Sequence, residues 1–356
     1  AIGSETGAVD EREDGKDERA MKRLLVILVA LAAVSAAGAA AWLQRSLSPV
    51  APDPEAARTV AFEVSPGDTL GRVAAALEAE GVVRSARVTR WFAHSEDIAS
   101  DLKVGEYTLS PGQSTPEILS VLVEGRVQTH PVVIPEGLRA TEIADRLESA
   151  GFATREAFLD VVFDSAVAAR LGVEGESLEG YLFPDTYRFA RGVSADRIAE
   201  AMVARFLEVY RPLVADRDGF ALSMREHVTL ASIVEKETGA AHERPLIAAV
   251  FLNRLERGMR LETDPTVIYG IPGFDGNLRR VHLEDSSNVY NTYRIRGLPP
   301  GPIASPGLDA LRAVVEPADS PFLYFVSRND GTHVFSKTYA EHEAAVDRFQ
   351  RRRSRR

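Results

Sequence analysis

From Leu24 to Leu43 the chain carries an unbroken apolar run, LLVILVALAAVSAAGAAAWL, and about 20 such residues suffice to cross a hydrocarbon core as a helix. Lys22 and Arg23 precede it and Trp42 lies at its end, which predicts one span at 24–43 with the N-terminus inside and everything beyond Arg45 outside. A cleaved signal peptide is the competing expectation, because MKR supplies a basic start and Ala36 to Ala41 contain A-x-A-like sites. The apolar stretch is longer than the ~7–15-residue core of such a signal. Residues 1–20 are polar and lack apolar periodicity, so they are predicted to be disordered. Met21 reads as a native start, and residues 1–23 as a cytoplasmic tail.

Beyond the span, residues 44–58 include SLSPVAPDPEAAR, with three prolines, the composition of a semi-extended linker. The pattern then turns to alternation, with Val60, Phe62 and Val64 on one face of a predicted strand. Thr69 caps a helix in which Leu70, Val73, Ala74 and Leu77 recur until Gly81. A second helix around Ala86 to His94, the strand GEYTL and the segment PGQSTPEILSVLVEG complete a small βααβ unit at 59–127. With its PGDTL turn this unit resembles the LysM-like domain of peptidoglycan-binding proteins; a βα unit that only braces its neighbour is the alternative. The V-x-P-helix-Gly phrase recurs at 133–151, too irregularly for a solenoid. Residues 128–348 alternate helical and turn-rich stretches as one α+β domain, and 349–356 form a basic tail.

Hydrophobic residues make up 45% and charged residues 26%, which predicts packed domains rather than global disorder. A formal charge of −10 supplies no broad cationic field for phosphates, so nucleic acid is not an expected partner. With 0 cysteines, thiolate zinc sites, iron–sulfur clusters and thiol nucleophiles are excluded. The seven histidines, among them His333 in the hairpin phrase NDGTH, show no metal-ligand spacing. No nucleophile elbow, P-loop or dinucleotide fingerprint occurs. The expectation is an enzyme without metal or cofactor, with His333 on the surface.

The segment SMREHVTLASIVEKETG, Ser223 to Gly239, predicts a helix with a Ser223–Glu226 capping box and a glycine stop. Glu235 follows the apolar residues Val228, Ala231, Ile233 and Val234, whereas Glu237 lies roughly 200° further round and is predicted to face elsewhere. A carboxyl group held against apolar residues keeps a proton it can donate to a glycosidic leaving oxygen. A solvated glutamate paired with Lys236 or Arg244 is the plainer alternative.

SIVEKETG, then HERPLIAAVFLNRLERGMRLETDPTVIYG, then YNTYRIRGLPPGPIASPG closely resemble the endolytic murein transglycosylases of the MltG (YceG-like) family. SLEGYLFPDTY at 177–187 and FLYFVSRNDGTHVFSKTYAEH at 322–342 extend the resemblance over most of Val132 to Val346. It implies non-hydrolytic cleavage of the MurNAc–GlcNAc bonds of nascent peptidoglycan strands by an inner-membrane, single-pass protein. Glu235 would protonate the leaving oxygen and then take the proton of the muramic 6-hydroxyl, leaving 1,6-anhydro ends that terminate elongation. Peptidoglycan synthases are the partners this implies. Thr263, Asp264, Asn291, Tyr293, Asn253 and Glu179 are candidates to bind sugar, although turn formation and loop ties would also explain them. Arg254 reads as a tie between helices, and Asp185 as a shaper of its loop. A muramidase that adds water through a second acid, Asp264 or Glu179, is one alternative; a non-catalytic wall-binding scaffold is another.

Overall fold

The structure is a computed structural model that describes residues 11–51, 53, 57–215 and 221–351, with side chains from residue 21 onward. The chain divides into two compact units, residues 1–128 and 129–356.

The first unit opens with α1 (Glu11–Leu47), whose stretch from Met21 to Leu47 is 27 residues long and contains an apolar window unburied by protein. It is a candidate membrane span. Residues 1–10 of the expected disordered tail lie outside the described residues, and 11–20 are helical instead. Extending an existing helix skips the costly nucleation step, and Glu, Lys and Arg propagate it well. The expected free linker is also shortened. The helix runs to Leu47, and Arg84 then donates through Nη2 to Pro49 O at 2.6 Å and to Val50 O at 3.0 Å.

Strands β1 (Val60–Val64) and β2 (Gly105–Leu109) pair antiparallel with Phe62 opposite Tyr107. Between them run α2 (Leu70–Ala79) and α3 (Ala86–Ser95), and α4 (Thr115–Glu124) follows. Thr69 accepts from Arg72 N as expected, Ser85 caps α3, and Ser114 with Glu117 forms a full capping box on α4. Phe62, Val64, Val73, Leu77, Tyr107, Leu109, Ile118 and Leu122 make the core of this unit. Tyr107 satisfies its buried hydroxyl by donating to Lys103 O at 2.6 Å.

The second unit mixes many helices with two short antiparallel pairs. Strand β3 (His130–Val133) leads to α5 (Ala140–Ser149), α6 (Arg155–Val162), α7 (Ser165–Leu171) and β4 (Thr186–Phe189), which pairs back on β3. Then come α8 (Ala195–Ala215), α9 (Met224–Glu237), α10 (Arg244–Glu256), α11 (Asp264–Tyr269), α12 (Arg280–Glu284) and α13 (Leu308–Val315). Strands β5 (Tyr324–Ser327) and β6 (His333–Ser336) form the hairpin expected around NDGTH, and α14 (Tyr339–Val346) follows. A π-helical turn at Asp347–Arg351 takes the first residues of the expected basic tail; 352–356 lie outside the described residues.

One core holds this unit, with α9 packed against α10, α11 and α13. In the segment SLEGYLFPDTY, Gly180 has φ +86° and a Cβ there would overlap Pro302. Only glycine lets that backbone approach so closely.

Candidate active site

Helix α9 carries both candidate glutamates. Ser223 and Glu226 close its N-terminal capping box, with Ser223 N donating to Glu226 Oε2 at 2.9 Å. All eight residues from His227 to Val234 are buried, so the helix has packing on every side and no single apolar face that points at a cleft. It ends at Glu237 because Thr238 turns extended, at φ −144° and ψ 137°. The stop is therefore one residue earlier than the glycine expected to make it. Glu235, Lys236 and Glu237 leave this last turn in three directions.

Glu235 goes into an ion-pair cluster. Its Oε1 accepts from Arg244 Nη2 at 3.0 Å and its Oε2 from Gly307 N at 3.1 Å. Its side chain is 7% exposed and that of Arg244 10%. Arg244 also approaches Glu136 Oε2 at 3.7 Å and Asp309 Oδ2 at 3.9 Å. Burial, then the neighbouring Glu235, raises the proton affinity of Glu136. The pairing with Arg244 is observed, but in a largely buried setting rather than the solvated one expected with it. Both carboxylate oxygens are occupied by donors.

Glu237 instead reaches the wall of a cavity of about 400 Å³ that also includes Thr263, Asp264, Tyr293, Arg254 and His333. The Thr263 hydroxyl donates to Glu237 Oε1. Thr263 sits at the N-cap position of α11 yet makes no side-chain cap bond, so its hydroxyl is spent on Glu237 rather than on its own helix. Thr292 Oγ1 accepts from Thr263 N at 3.0 Å and fixes it. Burial pushes the Glu237 carboxyl up to about 7, with Asp264 adding in the same direction and Thr263, His333 and Arg254 opposing it. A group poised there exists in both protonation states at neutral pH, as a proton donor and acceptor requires.

Of the other expected sugar-binding residues, Thr263, Asp264 and Tyr293 share this cavity. Tyr293 donates its hydroxyl to Asp264 Oδ1 at 2.8 Å, and burial followed by Asp264 raises its proton affinity. Asn253 and Asn291 do not join them. Asn253 Nδ2 donates to Ser320 O at 2.8 Å and Phe322 O at 3.0 Å. Asn291 is fully buried, with Nδ2 donating to Asp285 O at 2.6 Å and Oδ1 accepting from Tyr293 N at 3.1 Å. Both amides are consumed by backbone groups that would otherwise be orphaned. Arg254 ties α10 to Leu323 O at 2.7 Å and Leu261 O at 2.8 Å while lining the cavity. Asp185 pairs with Arg205 at 2.8 Å, outside the cavity's lining.

Glu179 belongs to a different cavity, of about 330 Å³, with Tyr269, Tyr290 and Arg225 in its wall. It accepts from Ala140 N at 3.0 Å and from Tyr269 Oη at 3.2 Å. It thereby serves the first turn of α5, whose own N-cap is Arg139. Burial pushes it up to about 7 despite those bonds.

From the sequence, Glu237 is expected to face elsewhere and His333 to lie on the surface, and nothing singles out Glu243. His333 is no surface group: its side chain is 11% exposed and its Nδ1 lies 2.7 Å from Glu243 Oε2. Glu243 is distant in sequence, and nothing local announces the pairing. For Glu237, the available signal was the TDP phrase: a threonine at a helix start whose hydroxyl is free for another acceptor.

Several known proteins are similar to this chain. The endolytic murein transglycosylase of Bacillus subtilis (strain 168) is 29% identical over 331 residues, covering 88% of this chain and 90% of that protein. That of Streptococcus pneumoniae serotype 2 (strain D39) is 30% identical over 356 residues, covering 91% of this chain and 64% of that longer protein. The crystal structure of a YceG-like protein from Listeria monocytogenes superimposes with a TM-score of 0.55 at 31% identity, covering 82% of this chain and all of that one. The model of the YceG-like family matches residues 62–348, and the chain belongs to that family.

Proposed function

We propose that this protein is a peptidoglycan lytic transglycosylase, held at the membrane by α1 with residues 48–356 outside, and that Glu237 carries its chemistry. The relatives named endolytic murein transglycosylase support the reaction class. The cavity supports the residue. Glu237 is the α9 glutamate that lines a cavity, whose carboxyl is pushed up to about 7 and accepts from one hydroxyl. Glu235, the residue expected from the family resemblance, accepts from Arg244 through one oxygen and from Gly307 through the other.

In the reaction, protonated Glu237 gives its proton to the glycosidic oxygen as the bond from the muramic C1 breaks. The muramic 6-hydroxyl then attacks C1, its proton passes to the Glu237 carboxylate, and a 1,6-anhydro ring closes. No water is consumed, and one carboxyl serves both steps because the nucleophile is already tethered to the reacting ring. Thr263 orients the carboxyl, and Asp264 with Tyr293 forms a polar wall suited to sugar hydroxyls. The unit at 59–127 acts as a LysM-like glycan contact, supported by its βααβ order next to such an enzyme.

The test is digestion of purified peptidoglycan by the full-length protein in detergent, with Glu237→Gln and Glu235→Gln beside it and products identified by mass spectrometry. The expected result is anhydro ends from the wild type, a loss of roughly 10²–10⁴-fold for Glu237→Gln, and measurable cutting by Glu235→Gln. Cutting by Glu237→Gln with none by Glu235→Gln reverses the residue assignment. Reducing muramic ends would indicate a hydrolase, and full biological activity of both variants a scaffold.

A further inference from the structure

The wall of the Glu237 cavity includes His333, which is held from behind by Glu243. His333 opens β6, and Glu243 stands just before α10. Glu243 grips that residue twice: Oε1 accepts from His333 N at 2.9 Å, and Oε2 lies 2.7 Å from His333 Nδ1. Both side chains are largely buried, at 6% and 11% exposure. Phe325 meets the imidazole edge to face, with ring centres 5.4 Å apart. The ring is thus fixed in both position and tilt. With a carboxylate at Nδ1, the proton there is directed at Glu243. Nε2 is left over; among the described residues it has no hydrogen-bond partner, and His333 lines the same cavity as Glu237.

Resting on the reading of Glu237 as the proton carrier, we propose that the Glu243–His333 pair is a positioning device for that residue. Glu243 holds the imidazole in the cavity wall, and the charge on the imidazole governs proton transfer at Glu237. A positive ring across this cavity favours the carboxylate form of Glu237, whereas a neutral ring releases it to hold its proton. His333 is among the groups that pull the proton affinity of Glu237 down. It does not act alone on the cavity. Arg254 from α10 contributes positive charge, Asp264 from α11 and the nearby Glu262 contribute negative charge, and Tyr293 and His342 from α14 complete the titratable wall. Burial keeps His342 biased toward its neutral form, with Arg254 adding to that bias, whereas the His333 imidazole is the one held by a carboxylate, at Glu243.

The experiment is the pH dependence of glycan-strand cutting by the full-length protein in detergent, for the wild type, His333→Gln and His333→Lys. Activity that needs protonated Glu237 falls as pH rises past its proton affinity. Removing the ring's charge is expected to move that alkaline limb upward by about 0.5 pH unit or more. A permanent positive charge in His333→Lys is expected to leave it at or below the wild-type position. A purely structural histidine would lower the rate of both variants at every pH without displacing the limb, and that result overturns the proposal. Should either variant melt too low to assay, coupling can be read in the opposite direction, because it is reciprocal. NMR of histidine-labelled protein is then expected to show the His333 titration midpoint lower in Glu237→Gln than in the wild type; an unchanged midpoint overturns the proposal. Full cutting by Glu237→Gln would instead remove the reading of Glu237 itself, so the two failures are distinct.

Discussion

The last turn of α9 sends two glutamates, two residues apart, into opposite environments. On one side Glu235 enters a cluster in which the Arg244 guanidinium is shared with Glu136 and Asp309 and a backbone N–H fills the remaining oxygen. On the other side Glu237 meets one hydroxyl, a cavity, and a negative neighbour. Both are shielded from solvent, so burial alone does not separate a structural carboxyl from a chemical one. On the assignment proposed above, what separates them is the number of donors already committed to the oxygens. A fully engaged carboxylate braces the fold, whereas an under-engaged one next to open space can exchange a proton with a substrate.

The strongest way to break this comparison is to remove the brace. Arg244→Ala would leave Glu235 without its cationic partner in a largely buried setting, a change that typically costs about 3–5 kcal/mol. A melting temperature many degrees below the wild type is expected, along with loss of cutting that tracks unfolding. Arg244→Ala with wild-type melting and no activity would instead place Arg244, and with it Glu235, in the chemistry.

Much of the frame was legible before the fold was known. The capping signals at Thr69 and Ser223, the apolar helix and the NDGTH hairpin are local patterns, and each is present in the structure. The site was legible only in part. Thr263, Asp264 and Tyr293 do converge, but the helical-wheel argument for Glu235 assumed one buried face and one cleft. A helix packed by α10, α11 and α13 has no such asymmetry, so angular position said little about which glutamate meets open space. Asn253 and Asn291 bond backbone groups, and Glu179 a backbone N–H and the Tyr269 hydroxyl, all brought near by folding, beyond the reach of spacing rules. The Glu243–His333 pair spans 90 residues, a separation across which no periodicity operates.

A second prediction sharpens the comparison by altering the single donor on Glu237. Thr263→Val keeps the shape and removes the hydroxyl, and hydrogen bonds to charged groups are worth about 1.5–3 kcal/mol. That bond lowers the proton affinity of Glu237, so its loss raises it. Stabilisation of the carboxylate that must re-form is lost, and cutting near neutral pH is expected to fall roughly 10-fold or more. The alkaline limb should move to higher pH. A rate loss with a stationary limb would mean that Thr263 contacts sugar instead.

The smallest expected effect concerns Glu179, the carboxyl that resembles Glu237 in proton affinity but not in surroundings. Burial pushes it up from 4.5 to about 7, so between those values the folded protein holds a proton that the unfolded chain has released. The sign follows: this group's contribution to stability is present below about 4.5 and is lost as pH rises through 7, by at most about 1.4 kcal/mol per pH unit. Glu237 contributes with the same sign, and His227, which burial lowers from 6.5 to about 4, with the opposite one. Glu179→Gln leaves the other two in place, so denaturant titrations of both proteins from pH 4.5 to 7, differenced, isolate Glu179. The variant should lose less stability across that interval than the wild type. The amide oxygen of Glu179→Gln can still accept from Ala140 N and Tyr269, so cutting should persist near the wild-type rate. Equal slopes would mean that the donors from α5 and Tyr269 outweigh burial, whereas a large loss of cutting would make this second carboxyl part of the chemistry after all and return the water-adding, two-acid mechanism to contention.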